Sequence, residues 1–166
     1  MQKIVTIGAY GYDASAFFSA LQDARVDTFV DLRRRRGVRG ATYTFANSRR
    51  LQARLAAMDI RYLHRLDLAP TTAVRTRQKA ADQKQGVAKR DRETLDEAFV
   101  RAFQDEVLAS FDSRSFLDDL DLNAQVVALF CVEMRPEACH RSLVAQKLHD
   151  DLGVAVMHLL PRLSAN

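Results

Sequence analysis

The run QVVALFCVE, at residues 125–133, is the most apolar stretch of the 166-residue chain. Its apolar residues are continuous rather than alternating, which is typical of a central parallel strand covered on both faces. Parallel strands need crossover connections, and these are usually helices. The run therefore predicts an α/β layer fold in which strands and helices alternate along the chain.

Four other short runs, rich in apolar and β-branched residues, have the length and composition of buried strands. They are KIVTIG at 3–8, DTFVDLR at 27–33, IRYLH at 60–64 and VAVMHLL at 154–160. Segments with apolar residues at helical spacing separate them, and these lie at 13–26, 48–58, 92–111, 112–124 and 136–153. We therefore predict one α/β domain over residues 1–166, with three layers and a mostly parallel sheet of about five strands flanked by helices.

The polar segment 67–92 is an exception to this pattern. Its stretch TRQKAADQKQGVAKRDR, at residues 76–92, has almost no large apolar side chain and can bury little surface. Segments of this kind usually lie on the surface and often carry function. We predict a mobile loop or a loosely helical lid here.

Charge is divided unevenly between the two halves of the chain. Residues 1–92 hold 19 basic and 8 acidic side chains, a net charge of +11, whereas residues 93–166 hold 6 and 13, a net charge of −7. A basic half is typical of a protein with an anionic partner, either a small molecule or a nucleic acid. Attraction between the two halves of one compact fold explains the same division, and the sequence leaves both interpretations open.

The sequence has no feature of a membrane or secreted protein. No apolar run approaches the roughly 18 residues of a membrane span, and the first apolar run is too short for a signal peptide. We therefore predict a cytoplasmic protein with no membrane partner. In that compartment the two cysteines, Cys131 and Cys139, are expected to be reduced.

Polar residues follow the predicted strands at the points where the strands end. The carboxyl ends of parallel strands share one edge of the sheet, and ligands bind along that edge. The residues that this rule gathers are Gly8, Tyr10, Asp31, Arg33, His64, Cys131, Glu133, Cys139, His140 and Arg141. We predict that they converge in a cleft although they are scattered in the sequence.

The segment CVEMRPEACHR, at residues 131–141, contains both cysteines, and its residues fit more than one kind of site. Zinc ligands could be drawn from Cys131, Cys139 and His140, with Glu133 or His64. The chain lacks the two close-spaced ligand pairs of a structural zinc site, so we assign no metal and no cofactor. A disulfide between the cysteines is sterically feasible but is not the expected resting state.

Nucleophilic and anion-binding sites fit the same segment. A cysteine in the first turn of a helix, such as Cys139, feels the helix dipole, and Arg141 adds positive charge, so the pKa of the thiol is expected to fall. Arg141 and the free N–H groups of the helix N-terminus could instead clamp a phosphate or a carboxylate. Cys139 and Cys131 are equally well explained as buried packing residues, and Arg141 as a salt-bridge partner of Glu133 or Asp31.

Two carboxylates are candidates for acid–base chemistry. Glu133 ends the central strand, where a partly dry cleft tends to raise the pKa of a carboxyl group. Asp31 ends the second strand at the same edge of the sheet.

The loop at the end of the second strand, DLRRRRGVRG at 31–40, holds five arginines, which either contact a phosphate backbone or form a solvated surface. Two aromatic residues follow this loop in the sequence, Tyr43 and Phe45. They either stack on the bases of a ligand or anchor the loop on the core.

These landmarks together resemble the DUF488 family of bacterial and archaeal proteins. The motif T-I-G stands at 6–8, V-D-V/L-R at 30–33, Y-x-H at 62–64 and C-x-E-x-x-P-x-x-C-H-R at 131–141, so the resemblance covers nearly the whole chain. It implies an α/β domain with a cleft formed by these motifs, and it implies no particular reaction. The chain departs from the family pattern at Ala69 and at Ala9-Tyr10-Gly11, which implies that loop chemistry and substrate choice could differ.

The main functional hypothesis is a small cytoplasmic enzyme that acts on a phosphorylated or nucleic-acid-derived substrate. The expected roles are anion binding for Arg33 and Arg141, acid–base chemistry for Asp31 or Glu133, and nucleophile or pocket wall for Cys139. One alternative is a non-catalytic module that binds a nucleotide or a nucleic acid in the same cleft. The second alternative is a metal- or redox-responsive protein built on the two cysteines.

Overall fold

A computed structural model describes Met1 and residues 3–162, and it contains the five predicted strands. Their bounds are β1 Lys3–Gly8, β2 Thr28–Asp31, β3 Arg61–His64, β4 Val126–Cys131 and β5 Ala155–Leu159. Within the described residues the helices are α1 Ala14–Asp23, α2 Ser48–Ala56, α3 Thr72–Gln85, α4 Glu97–Glu106, α5 Ser113–Asp118 and α6 His140–Leu152. The predicted three-layer α/β fold is confirmed.

All strand pairs in the sheet are parallel, and the strand order is β3-β2-β4-β1-β5. The apolar run at 125–133 is therefore the central strand, as predicted. The register places Gly8 opposite Cys131 and Asp31 opposite Phe130. The ends of β1 and β2 consequently lie on either side of the end of β4.

Helices cover both faces of the sheet, and alternate residues of each strand point to opposite faces. On one face α1 and α2 pack on side chains such as Phe29 and Phe130. On the other face α3 to α6 pack on the neighbours of those side chains, Val30 and Leu129. No helix of the described residues is both long and apolar enough to cross a membrane.

The path of the chain reverses within the sheet, and this reversal creates a crevice. From β1 through β2 to β3 the chain moves toward one edge, and from β3 through β4 to β5 it moves back toward the other. The connections after β2 and β4 therefore leave toward opposite faces. Ligands of open α/β sheets bind in the crevice that such a switch opens at the carboxyl ends of the strands.

Helix α3 lies in the segment 67–92, for which we predicted a mobile loop or a loosely helical lid, and the helical alternative agrees with the structure. It is a regular helix of 14 residues, and Thr71 caps its N-terminus by accepting from the backbone N–H of Val74 at 3.2 Å. Gly86 ends it in the left-handed conformation, with φ of 66°. The segment contains few apolar residues because α3 buries only a narrow strip, which consists of Val74, Gln78 and Asp82.

Candidate functional site

A cavity of about 620 Å³ opens at the carboxyl ends of β1, β2 and β4. Its walls are the loop after β2, helix α3 and the segment Lys89–Arg92, and its floor contains the end of β4 and the start of α6. The crevice expected from the strand order is thus a single cavity closed on one side by α3. Its volume is in the range of cavities that bind metabolite-sized ligands.

Four buried side chains form a cluster on the floor of this cavity, which we call the floor cluster: Cys131, Glu133, Cys139 and His140. Each is between 1 and 6% exposed. The Oε2 atom of Glu133 accepts hydrogen bonds from Cys131 Sγ at 3.2 Å and from Cys139 Sγ at 3.1 Å. Cys139 Sγ lies 3.9 Å from Nδ1 of His140. The predicted convergence of these four residues is therefore present in the structure.

The local backbone explains why the two ends of the 131–141 segment meet. Strand β4 ends at Cys131, and Pro136–Ala138 forms one 3-10 turn that brings the chain back toward the strand end. Cys139 precedes helix α6 in an extended conformation, with φ of −143° and ψ of 137°. Its side chain is thereby directed to the floor rather than along the helix.

The pKa of Glu133 differs from the sequence-based expectation. Burial raises the pKa of this carboxyl, as predicted, but the positive charges of Lys89 and His140 and the two thiol hydrogen bonds outweigh burial. The pKa of Glu133 consequently lies well below its ordinary value. The Nζ atom of Lys89, 3.1 Å from Glu133 Oε1, supplies the largest of these opposing effects. The predicted raised pKa is therefore wrong, because the sequence did not indicate that Lys89 lies beside Glu133.

The two thiols differ in acidity. The hydrogen bond with Cys139, together with burial, raises the pKa of Cys131 well above its ordinary value. Burial also acts to raise the pKa of Cys139, but the bond from Cys131 and the charges of Arg141 and His140 lower it to about 5. Burial lowers the pKa of His140, but the charge of Cys139 and its hydrogen bond reverse the effect and leave that pKa raised. Cys139 is therefore the more acidic thiol, in agreement with the expected direction.

Asp31 and Arg33 form a structural pair rather than an acid–base group and an anion clamp. The Arg33 guanidinium donates to both carboxylate oxygens of Asp31, at 2.8 and 2.7 Å, and to the carbonyl of Ala46 at 2.9 Å. Tyr62 donates to the same carboxylate at 2.9 Å. Asp31 is fully buried and does not line the cavity, so its predicted catalytic role does not fit. Arg33 lines the cavity, but it is 3% exposed and each of its three nitrogens already donates to Asp31 or Ala46, which favours a structural role over the predicted anion binding.

Arg141 is also structural, and this corrects its predicted role as an anion clamp. Its side chain is 0% exposed and does not line the cavity. Nη1 donates to the carbonyl of Glu133 at 2.6 Å, and Nη2 donates to the carbonyl of Met134 at 2.9 Å. The alternative interpretation, a salt bridge to Glu133 or Asp31, is also wrong, because Arg141 contacts the backbone of Glu133 and not its carboxylate.

Three other predicted site residues have different positions. Tyr10 lines the cavity and packs on Tyr43, with ring centroids 5.0 Å apart. Gly8 lies behind the floor, packed against the backbone of Glu133, and contacts no cavity. The Nε2 atom of His64 forms a hydrogen bond of 2.9 Å with the carbonyl oxygen of Arg33, and His64 does not line the cavity. Only Tyr10 of these three is therefore placed to touch a ligand.

Five exposed cations that line the cavity come from two segments, the loop after β2 and helix α3. We call them the cationic mouth: Arg34, Arg35, Arg39, Arg75 and Lys79. None of the five forms a salt bridge within the described part of the chain. Sequence reasoning found the arginine loop but missed Arg75 and Lys79. Their spacing of four residues places them on one face of a helix, a pattern visible only under the helical alternative for this segment.

Helix α3 is held in the cavity wall by a buried polar contact. Both carboxylate oxygens of Asp82 accept from the guanidinium of Arg92, and Gln78 donates to Oδ1 of Asp82 at 2.7 Å. Arg92 also donates to the carbonyl of Ala138 at 3.4 Å, beside Cys139. This contact links the mouth of the cavity to its floor.

The Asp82–Arg92 contact predicts a specific dependence of stability on pH. Burial opposes ionisation of Asp82, but Arg92 and Gln78 outweigh it and lower its pKa. The group therefore stabilises the fold above the unfolded-state pKa of about 3.9, and this contribution is lost as the pH falls through the lower folded-state pKa. Asp82→Asn is expected to melt below the wild type at pH 7, with the gap closing below about pH 4. Thermal melts from pH 3 to 7 test this, and a gap equal to that of exposed Asp105→Asn at every pH would contradict it.

Comparison with known proteins identifies the family but no reaction. No curated protein and no solved structure matches the chain. One family matches over residues 13–148, and it is described as Domain of unknown function DUF488. The match begins beside α1 and ends within α6, so it includes the whole floor cluster and both sides of the cationic mouth. The chain therefore belongs to the DUF488 family.

Proposed function

We propose that the protein is a small cytoplasmic enzyme that acts on a phosphorylated or nucleic-acid-derived substrate bound in the cavity. The observation that carries this proposal is the pairing of a cationic mouth with a buried, reactive floor in one cavity. The two free thiols of the floor suit the reducing environment of the cytoplasm. A simple packing core would not place a carboxylate, an imidazole and two thiols beneath a ring of cations.

The cationic mouth supports an anionic substrate. Arginine side chains bind phosphate through two parallel hydrogen bonds, and several of them around one opening concentrate anions there. Arg34 and Arg35 come from the loop after β2, and Arg75 and Lys79 come from helix α3. A phosphate held between them would leave the rest of the substrate directed toward the floor. Tyr10 and Tyr43, on the cavity wall, offer aromatic surface to a base or a sugar.

The floor supports a reaction rather than binding alone. Glu133 is the proposed acid–base residue of the floor; its lowered pKa keeps it ionised, and a 3.1 Å ion pair with Lys89 holds its orientation. The carboxylate therefore keeps one oxygen toward Lys89 and directs the other toward the thiols and His140. Groups held so rigidly at a cavity floor need little reorganisation during a reaction.

A ligand screen tests the anion-binding part of the proposal. The screen measures the rise in melting temperature produced by each of four ligand classes: inorganic phosphate, nucleoside monophosphates, sugar phosphates and short oligonucleotides. At least one phosphate-bearing class should raise the melting temperature of the wild type. Arg75→Ala should remove most of that rise, because it deletes a cation of the mouth. Arg77→Ala is the matched control, since Arg77 lies two positions away on α3, is exposed and does not line the cavity.

Incubation of the best ligand with the protein separates an enzyme from a binding module. Conversion of the ligand, followed by mass spectrometry, supports the enzyme and should be lost in Glu133→Gln. A ligand that binds at the mouth and is recovered unchanged would assign the cavity to the non-catalytic binding alternative. Equal thermal shifts in the wild type and in Arg75→Ala would show that the mouth is not the binding site.

A further inference from the structure

We infer that the floor cluster is a zinc site in which Cys131, Cys139 and His140 are the protein ligands and the fourth position faces the cavity on the side of Glu133. The sequence alone did not lead to this assignment, because the two cysteines are separated by seven residues rather than by two to four. The return of the chain through the Pro136–Ala138 turn removes that objection, since it brings the distant cysteine back to the strand end.

The first argument is the spacing of the donor atoms. The Sγ atoms of the two cysteines and one ring nitrogen of His140 all lie within 4.8 Å of one another. Around a tetrahedral zinc ion, with Zn–S of about 2.3 Å and Zn–N of about 2.0 Å, two sulfurs lie about 3.8 Å apart, and a sulfur and a nitrogen about 3.6 Å apart. Cys139 Sγ and His140 Nδ1 are 3.9 Å apart. Small side-chain rotations therefore bring all three atoms to bonding distance.

The second argument is the orientation of the imidazole. Nε2 of His140 lies 3.2 Å from the carbonyl of Leu32, and a carbonyl can only accept, so Nε2 carries the hydrogen. In the neutral ring the lone pair then belongs to Nδ1, which points at Cys139. Histidine ligands of zinc are characteristically fixed in this way, with the other ring nitrogen donating to a backbone carbonyl or a carboxylate. Phe103 packs on the same ring, with centroids 5.5 Å apart, and restricts its rotation.

The third argument is charge and access. Two thiolates neutralise Zn²⁺, and Glu133 remains neutralised by Lys89, so a loaded cluster adds no uncompensated charge to the interior. Both cysteines bind zinc as thiolates, so a proton still held by either thiol is released to solvent on binding. All three proposed ligands line the cavity, which gives the ion a path of entry. Two sulfurs and one imidazole nitrogen suit zinc, a borderline-soft ion, better than Mg²⁺ or Ca²⁺.

The open fourth position connects the site to the function proposed above, and this part of the inference rests on that function. Catalytic zinc sites use three protein ligands and keep one position for water. Oε2 of Glu133 lies within 3.2 Å of both sulfurs, so it stands where it can accept a hydrogen bond from such a water. A zinc ion held by Cys131, Cys139 and His140 would act there as a Lewis acid, and Glu133 would orient the water at the open position through that hydrogen bond.

Metal analysis and cobalt substitution test the site without any substrate. Protein purified without chelator is expected to hold about one equivalent of zinc per chain. Metal-free, reduced protein titrated with Co²⁺ should develop thiolate-to-cobalt charge-transfer absorption and the strong visible bands of tetrahedral cobalt. The expected end point is one Co²⁺ per chain, and the wild-type protein should show it without any variant being made. Substoichiometric zinc together with a cobalt titration that lacks these bands would overturn the inference.

Variants then assign the ligands. Cys131→Ser and Cys139→Ser should each weaken or abolish the charge-transfer band, while His149→Gln, an exposed histidine of α6, should leave it unchanged. Glu133→Gln should retain cobalt, because an amide can still bond the metal-bound water. Loss of cobalt in Glu133→Gln would overturn the open fourth position. Failure of metal uptake leaves the thermal-shift result of the ligand screen intact, so the two proposals can fail separately.

Discussion

Replacement of Arg141 with alanine is expected to lower the free energy of unfolding by about 3–5 kcal/mol. The change leaves the carbonyls of Glu133 and Met134 without the charged donors that reach them at 2.6 and 2.9 Å. Each buried carbonyl that loses its partner costs about 1–3 kcal/mol, and the volume of a fully buried arginine adds a cavity. Arg141 therefore stabilises the loop that carries the floor cluster, although it touches no ligand.

Urea denaturation of the variant, followed by circular dichroism, measures this effect. Arg135→Ala is the matched control in the same loop, because Arg135 is 52% exposed and makes only a 3.4 Å ion pair with Glu93. Arg135→Ala is expected to lower the free energy of unfolding by less than about 1 kcal/mol. Equal midpoints for the two variants would show that Arg141 is not structural. Any loss of ligand binding in Arg141→Ala must be judged against its stability, since an unfolded loop also binds nothing.

Gly8→Ala is also expected to destabilise the protein, through the opposite mechanism of overpacking. An added Cβ at this position would lie 1.9 Å from the carbonyl oxygen of Glu133 and 2.7 Å from its carbonyl carbon. Both neighbours are backbone atoms, so the strand end or the 131–141 loop must move as a unit. Overpacking that displaces backbone costs about 1–3 kcal/mol or more. The displacement also moves Glu133 away from the two thiols, so cobalt uptake should fall together with stability.

Gly37→Ala provides the control for this substitution. Its added Cβ would meet only the side chain of Asn47, at 3.9 Å, which is an ordinary contact. Urea midpoints of the two variants give the stability difference, and cobalt titration of the folded fraction gives the effect on the site. A Gly8→Ala protein with the urea midpoint of Gly37→Ala would contradict the close approach of β1 to the loop.

The fold was largely predictable because strands in a parallel sheet carry their signal in continuous apolar runs. The β4 residues, which are buried on both faces, identify the centre of the sheet without any other information. Helix α3 was not predictable by the same means. Its stability comes from end caps and from the polar Asp82–Arg92 contact, whereas the apolar pattern of the segment is weak. Polar contacts between residues ten positions apart leave no periodic trace in a sequence.

The position of the site was predictable, but the roles of its arginines and of Asp31 were not. The rule that ligands bind at the carboxyl ends of parallel strands correctly gathered Cys131, Glu133, Cys139 and His140. It did not distinguish residues that face the cavity from residues that support it from behind. Arg141 lies behind the floor because its partners are backbone carbonyls, and every residue type has a carbonyl. No sequence pattern therefore marks an arginine that is used in this way.

The strand order has a consequence for the synthesis of the protein. The central strand β4 lies between β2 and β1, so the earliest strands cannot complete the sheet until residues 126–131 have left the ribosome. At about 5–20 residues per second, the first 125 residues spend several seconds with their apolar strand edges unpaired. Pairs so distant along the chain also form slowly. The nascent chain is thus at its most vulnerable to aggregation just before residues 126–159 emerge, and these residues complete both the sheet and the cavity floor.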